Sequence, residues 1–131
     1  MNGKFTFRER MGILGVLPQQ GTVVALKTIR VLREELAIDQ AEKIIVGMVE
    51  DPARGTSVWE TEKEGGVAAK TIDITEAMNG VIVENLNRMN NSGQLTELQI
   101  GVYDRFVVNQ EFSPKPEDKL KERPTDFTPK G

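Results

Sequence analysis

Three glutamates, Glu60, Glu62 and Glu64, alternate through a stretch that reads as a strand and its turn, so they share one face. Three carboxylates on a common face are an oxygen-donor set of the kind that holds Mg²⁺ or Ca²⁺. A solvated outer sheet face accounts better for the same alternation, because no second carboxylate cluster is positioned to complete a coordination sphere. Gly65-Gly66-Val67-Ala68-Ala69-Lys70-Thr71 ends like a phosphate-binding loop, with lysine and threonine after glycines. The match fails at Ala69, where that loop needs glycine, and no buried strand leads into it. A hairpin connection is the simpler reading. The third set is cationic. Lys27, Arg30 and Arg33 fall within two turns of a helical pattern, and Arg8 and Arg10 lie upstream. Together they form a candidate contact for an anion or for nucleic-acid phosphate.

Other chemistry is narrowed by what is missing. The 131 residues contain no histidine and no cysteine, which removes the commonest general base, the commonest transition-metal ligand, disulfides and thiolate nucleophiles. An enzyme built from this chain would work with carboxylates, Lys, Tyr, Ser or Thr. No constellation of those types stands out, so the sequence predicts no catalytic residues, no metal site, no cofactor and a non-enzymatic role. Composition is that of an ordinary globular chain, 38% hydrophobic and 28% charged. The longest apolar runs, such as Val81 to Val83, are far too short to cross a bilayer. MNGKFTFRERMG carries charge where a signal peptide needs its apolar core, so secretion by a signal peptide is not expected.

Charge is unevenly distributed around a net of −3. Residues 1–36 hold six basic side chains against three acidic, residues 37–108 six against twelve, and residues 109–131 five against five. A basic first third on an acidic body marks either an anionic partner or two surfaces of one domain that attract each other.

The strongest positioning element is Thr22 to Leu36. At 100° per residue, Ala25, Ile29, Leu32 and Leu36 share a narrow sector, with Lys27, Arg30 and Glu34 opposite and Thr22 as the cap. Val24 and Val31 lie off that stripe, which admits burial on a second side, and Arg30 sits four residues before Glu34, where it can compensate that carboxylate. Before it, Thr6-Phe7-Arg8-Glu9 is a capping box for a short helix through Phe7, Met11, Leu14 and Leu17, stopped by Pro18. Gly12 and Gly15 within it lower helix propensity and permit close approach of a neighbouring backbone. Asp39-Gln40-Ala41-Glu42 starts another helix, and Ile44-Ile45-Val46 either ends it or begins a strand.

Turn chemistry at Asp51 to Gly55, strand chemistry at Thr56 to Thr61, a turn at Lys63 to Gly66 and alternation at Thr71 to Ile74 predict a small antiparallel hairpin or three-stranded sheet over residues 45–74. Trp59 is expected to pack that sheet onto the helices. Thr75-Glu76 opens a helix with the stripe Met78, Ile82, Leu86 and Met89, closed by Asn90 to Gly93. Thr96-Glu97-Leu98-Gln99 is a further capping box, starting a helix through Tyr103, Phe106 and Val107, with a strand as the alternative because Leu98, Ile100 and Val102 alternate. Residues 109–131 are rich in proline and mixed charge, with little to bury. They read as an extended or disordered arm whose Phe112, Lys115, Lys119, Lys121, Arg123 and Phe127 are candidate partner-binding residues.

Thr6 to Arg10, LGVLP at Leu14 to Pro18, Leu26 to Arg30 with Leu32 to Leu36, Lys70 to Ile74, and Leu95-Thr96 followed by Tyr103 and Phe106-Val107 together resemble small uncharacterised proteins encoded in tailed-phage and prophage genomes. The resemblance spans most of residues 4–108. It implies a phage or prophage setting, hence a host bacterial cytoplasm or a virion, and it implies no activity.

The expected architecture is α+β. It comprises a mainly helical single domain over residues 1–108, with four to five helices and the small sheet inserted before the C-terminal helices, then the arm over 109–131. The expected function is a phage accessory or structural protein that binds another phage or host protein. The alternative is a winged-helix-like nucleic-acid-binding regulator, because helix, helix, short helix and hairpin occur in that order. Against it, the short recognition segment Asp39 to Ile44 is acidic, with Lys43 its only cation.

Overall fold

The computed structural model describes residues 1–114. It shows an α+β fold, as the sequence predicts. Strand β1 (Asn2–Phe5) leads into helix α1 (Phe7–Leu14), followed by α2 (Val23–Leu36) and the short α3 (Gln40–Val46). The hairpin β2 (Val49–Asp51) and β3 (Thr56–Val58) comes next, then a 3₁₀ segment (Thr61–Gly66), β4 (Lys70–Asp73), α4 (Glu76–Asn91) and α5 (Glu97–Tyr103). A π-helical turn, Asp104–Val108, continues α5.

Local chemistry accounts for the helix starts. Thr6, Thr22, Asp39, Thr75 and Thr96 all cap through their side chains, and the boxes Thr6/Glu9, Asp39/Glu42 and Thr96/Gln99 are reciprocal. Gly47 ends α3 at φ +64°, a left-handed position that a side chain would strain. The ambiguous Ile44-Ile45-Val46 therefore finishes a helix.

The sheet differs from the expected one. Strands β2 and β3 pair alone, and β4 pairs antiparallel with β1, Asn2 opposite Asp73 and Phe5 opposite Lys70. The hairpin of the two alternatives over residues 45–74 is present as β2–β3, and the three-stranded sheet is not, because β4 joins β1 in a separate two-stranded sheet. Strand β1 escapes sequence reading because NGKF is too short for a periodic signal, and its partner lies about seventy residues away. The strand expected at Thr56 to Thr61 stops at Val58, and residues 61–66 wind into the 3₁₀ segment instead.

The main core joins Phe5, Ile13, Ile29, Leu32, Leu36, Ile72, Ile74, Met78, Ile82, Leu86, Val102, Phe106 and Phe112. The stripes of α2 and α4 face each other, as their spacing requires. A smaller cluster, Phe7, Val46 and Val67, takes Met11, Ile38, Met48 and Trp59 around it. Trp59 meets the Phe7 ring edge-on, centroids 5.5 Å apart, which fastens the segment after β3 to α1 as expected.

Gly12 of α1 and Gly15 at its C-terminal cap set the contact with α5. A Cβ on Gly12 would stand 2.5 Å from the Leu98 carbonyl oxygen, and one on Gly15 would stand 2.9 Å from Gln99 Nε2. Their low helix propensity is offset by this close approach.

Residues 109–114 do not form part of an arm. Phe112 is buried in the main core, stacked on Phe5 with centroids 5.5 Å apart and tilted against Phe106 at 4.8 Å. Its ring lies over Gly3, where a Cβ would fall 2.6 Å from Phe112 Cζ. Phe112 is a core residue and not an exposed partner contact, which corrects both its expected role and the boundary placed at residue 109. Lys115, Lys119, Lys121, Arg123 and Phe127 lie outside the described residues.

Candidate functional site

The five cations that look alike in sequence have different environments. Arg10 is 1% exposed. Its Nη1 donates to Glu42 Oε2 at 2.7 Å, its Nη2 donates to Glu42 Oε1 at 3.0 Å, and Nη2 also donates to the Ala37 carbonyl. That hydrogen-bonded guanidinium holds the Glu42 carboxyl below its ordinary value. Arg8 Nη1 donates to Glu64 Oε2 at 3.3 Å, and Glu64 Oε2 also accepts Trp59 Nε1–H at 2.6 Å. Arg10 is thus committed inside the fold, and the expectation that it contacts an external anion is corrected, whereas Arg8, its side chain 41% exposed, is paired with Glu64 at the surface. The attraction between a basic first third and an acidic body explains these two residues.

It does not explain the cations of α2. Arg33 Nη2 reaches the Pro18 carbonyl at 3.2 Å and the Leu17 carbonyl at 3.4 Å, tying the α1–α2 connection to the helix while remaining exposed. Lys27 and Arg30 are exposed and have no ion-pair partner among the described residues. Arg30 makes no pair with Glu34, in keeping with the weaker orientation of a cation N-terminal to its carboxylate.

Around these charges lies an apolar surface. Val23 is 69% exposed, Val24 76%, Val31 44% and Leu26 37%. Val24 and Val31 therefore turn to solvent rather than into a second buried side. Leu26, Arg30, Arg33, Glu34 and Ala37 line an open groove along one flank of the helix, floored by Ile29. A second groove on the other side of Ile29 runs toward α4 and takes in Gln19, Gln20, Glu84, Asn85 and Arg88. The outer face of α2 thus combines four large apolar side chains with two cations that have no ion-pair partner among the described residues, where a solvated helix face is ordinarily polar.

The carboxylate set does not assemble. Glu60 precedes the 3₁₀ segment that carries Glu62 and Glu64, and at about three residues per turn, side chains two apart point in divergent directions. Glu60 pairs with Lys63 at 3.2 Å, and Glu64 is taken by Arg8 and Trp59. The shared face that a strand would have provided is absent. Gly65 to Thr71 contains the end of the 3₁₀ segment and the start of β4, with no strand directly before the glycines.

One arginine that sequence reading misses organises the other end of the molecule. Arg105 donates to Glu111 at 3.0 and 2.6 Å, to the Lys4 carbonyl at 2.8 Å and to Glu9 Oε1 at 3.2 Å. Its guanidinium carbon lies 4.6 Å from the Phe5 ring centroid and 5.3 Å from that of Phe112. None of these partners except Glu111 is near it in sequence, so no local pattern reveals the cluster. It is a structural clamp that holds Phe112 over β1.

No family model, no curated protein and no solved structure matches this chain. Among the described residues, no helix is long and apolar enough to cross a membrane. The candidate site therefore rests on its own geometry, and that geometry is a surface rather than a cleft with convergent reactive groups.

Proposed function

We propose that this chain is a non-enzymatic phage or prophage accessory or structural protein that works by binding another protein, in a bacterial cytoplasm or a virion. The outer face of α2 is the docking surface. The observation that carries this reading is the combination of Val23, Val24, Leu26 and Val31 exposed on one helix with Lys27 and Arg30 unpaired among the described residues, while Arg10 is buried on Glu42 and Arg8 is paired with Glu64. An apolar patch rimmed by charge gains free energy when covered, and its charges select the partner. The phage setting rests on the sequence resemblance. Residues 115–131, which lie outside the described residues, enter the proposal through their composition alone, as a second contact for the partner.

Affinity capture tests this directly. The wild-type chain, Val24→Asp/Val31→Asp and a version lacking residues 115–131 are used as bait, with folding of each checked by circular dichroism. Loss of the captured protein in the α2 variant is the expected result. Undiminished capture by that variant removes α2 from the proposal, and undiminished capture without residues 115–131 removes that segment.

A nucleic-acid-binding regulator is the second reading, favoured by the order α1, α2, α3, β2, β3 and by Lys27, Arg30 and Arg33 on one helix. Its weakness is the recognition position. The single cation of α3, Lys43, is held by Glu50 at 3.2 Å, and the β2–β3 hairpin carries Glu50 and Asp51. A gel shift that weakens steeply with salt is what this reading requires, and no shift at low salt sinks it.

A further inference from the structure

We infer that the occupant of the α2 face is a second copy of this chain, with the two α2 helices crossing antiparallel about a two-fold axis. This rests on the docking role proposed above and names the partner for that surface. Val23, Lys27, Arg30 and Glu34 succeed one another at spacings of four, three and four, which is the seam spacing of paired helices. Val24 and Val31 flank the seam on one side, Leu26 and Arg33 on the other.

Along this seam the charge is ordered: apolar, positive, positive, negative. Antiparallel pairing centred between Arg30 and Val31 places Lys27 of each copy opposite Glu34 of the other, twice by symmetry. The same centring lays the aliphatic stem of Arg30 across the partner's Val31. Parallel pairing instead sets Lys27 against Lys27 and Arg30 against Arg30, and is repelled. Lys27, Arg30 and Glu34 form no ion pair among the described residues of one chain, which leaves all three available for this exchange. The two-fold axis also brings the Val24 and Val31 flank of each helix against its own equivalent.

The contact is small. Fourteen helical residues extend about 21 Å, and one helix face falls short of the roughly 800 Å² per partner of a standard stable interface. The dimer is therefore concentration-dependent and forms fully where copies are held at high local density.

Sedimentation velocity on the full chain from micromolar to millimolar concentration tests it. Wild type should pass from monomer to dimer across that range. Lys27→Glu alone and Glu34→Lys alone should each weaken association about tenfold, because like charges then oppose twice. An equimolar mixture of the two single variants should associate again, since each supplies the charge that the other lacks. Both positions are exposed, so unchanged thermal melts are expected and confirm that folding is intact. Wild type monomeric throughout overturns the inference, as does a mixture that stays monomeric or a mass shift that appears only with added nucleic acid. If wild type is monomeric and Lys27→Glu still abolishes affinity capture, the docking face stands and the second copy does not. If dimers form and capture is unaffected by α2 substitution, the dimer stands and the docking of another protein at that face does not.

Discussion

Arg10 of α1 and Glu42 of α3 face each other as a bidentate pair, Nη1 to Oε2 at 2.7 Å and Nη2 to Oε1 at 3.0 Å, with Arg10 almost wholly buried. Glu42 is at the same time the returning side chain of the capping box of α3, where it accepts the Asp39 N–H at 3.0 Å. Two other capping boxes are shared in the same way. Glu9 caps α1 and accepts from Arg105, and Gln99 caps α5 and donates to the Gly12 carbonyl at 3.2 Å. Helix starts are thus the points at which helices are bonded to one another.

Replacing Glu42 by alanine removes the returning half of the capping box and leaves a buried guanidinium without its carboxylate. Breaking a buried pair from one side costs about 3–5 kcal/mol, because the remaining charge stays uncompensated. Urea denaturation should show stability falling by that amount. Replacing Arg10 with methionine together with Glu42 with leucine should recover a large part of it, since no unpaired charge then remains.

Acid sensitivity follows from the same pair. The Glu42 carboxyl is held below its ordinary value by the Arg10 hydrogen bonds, and Glu111 is lowered by Arg105. The unfolded chain binds protons more readily at these sites, so their contribution is fully present above the ordinary carboxylate range and is lost as pH falls through the folded values. Melting temperature measured from neutral pH down to strongly acidic pH should fall in that window. Glu42→Gln should melt lower at neutral pH and show a shallower decline.

Glycines inside helices should answer oppositely to alanine. Gly12→Ala drives a methyl group into the Leu98 carbonyl and separates α1 from α5, at a cost of about 1–3 kcal/mol. Gly80 in α4 and Gly101 in α5 have nothing within 4 Å of the place a methyl group would take, so alanine there adds helix propensity without a clash. Each should raise stability by about 0.5–1 kcal/mol. Thermal melts of the three single variants check the order.

Phe112 provides the sharpest test of where the folded body ends. Phe112→Ala removes a ring packed on Phe5 and Phe106 and should cost about 3–5 kcal/mol. A residue of an extended arm would show no change in denaturation midpoint. Arg105→Ala should destabilise in the same direction, through loss of the Glu111, Glu9 and Lys4 contacts that hold this segment.

How far the candidate site is legible in sequence depends on the range of its interactions. Lys27, Arg30 and Arg33 are legible as a helix face because their spacing is local. That Arg10 leaves this set, and that Arg8 pairs with Glu64, is not, since the acceptors Glu42 and Glu64 lie 32 and 56 residues away. The carboxylates Glu60, Glu62 and Glu64 mislead for a local reason: alternation suggests a strand, and the segment winds into a 3₁₀ turn instead. The exposure of Val24 and Val31 is equally hidden, because a stripe shows which side of a helix is buried and not whether a second neighbour arrives.

The sequence by itself determined the helices, their starts and their buried stripes, because caps and 3.6-residue periodicity act within a turn or two of the chain. Only the tertiary structure decided the pairing of β1 with β4, the capture of Phe112 by the core, and the separation of Arg10, buried on Glu42, from Lys27 and Arg30, which have no ion-pair partner among the described residues. Those outcomes depend on contacts between segments tens of residues apart. Their free energy appears only when both segments have already been brought together.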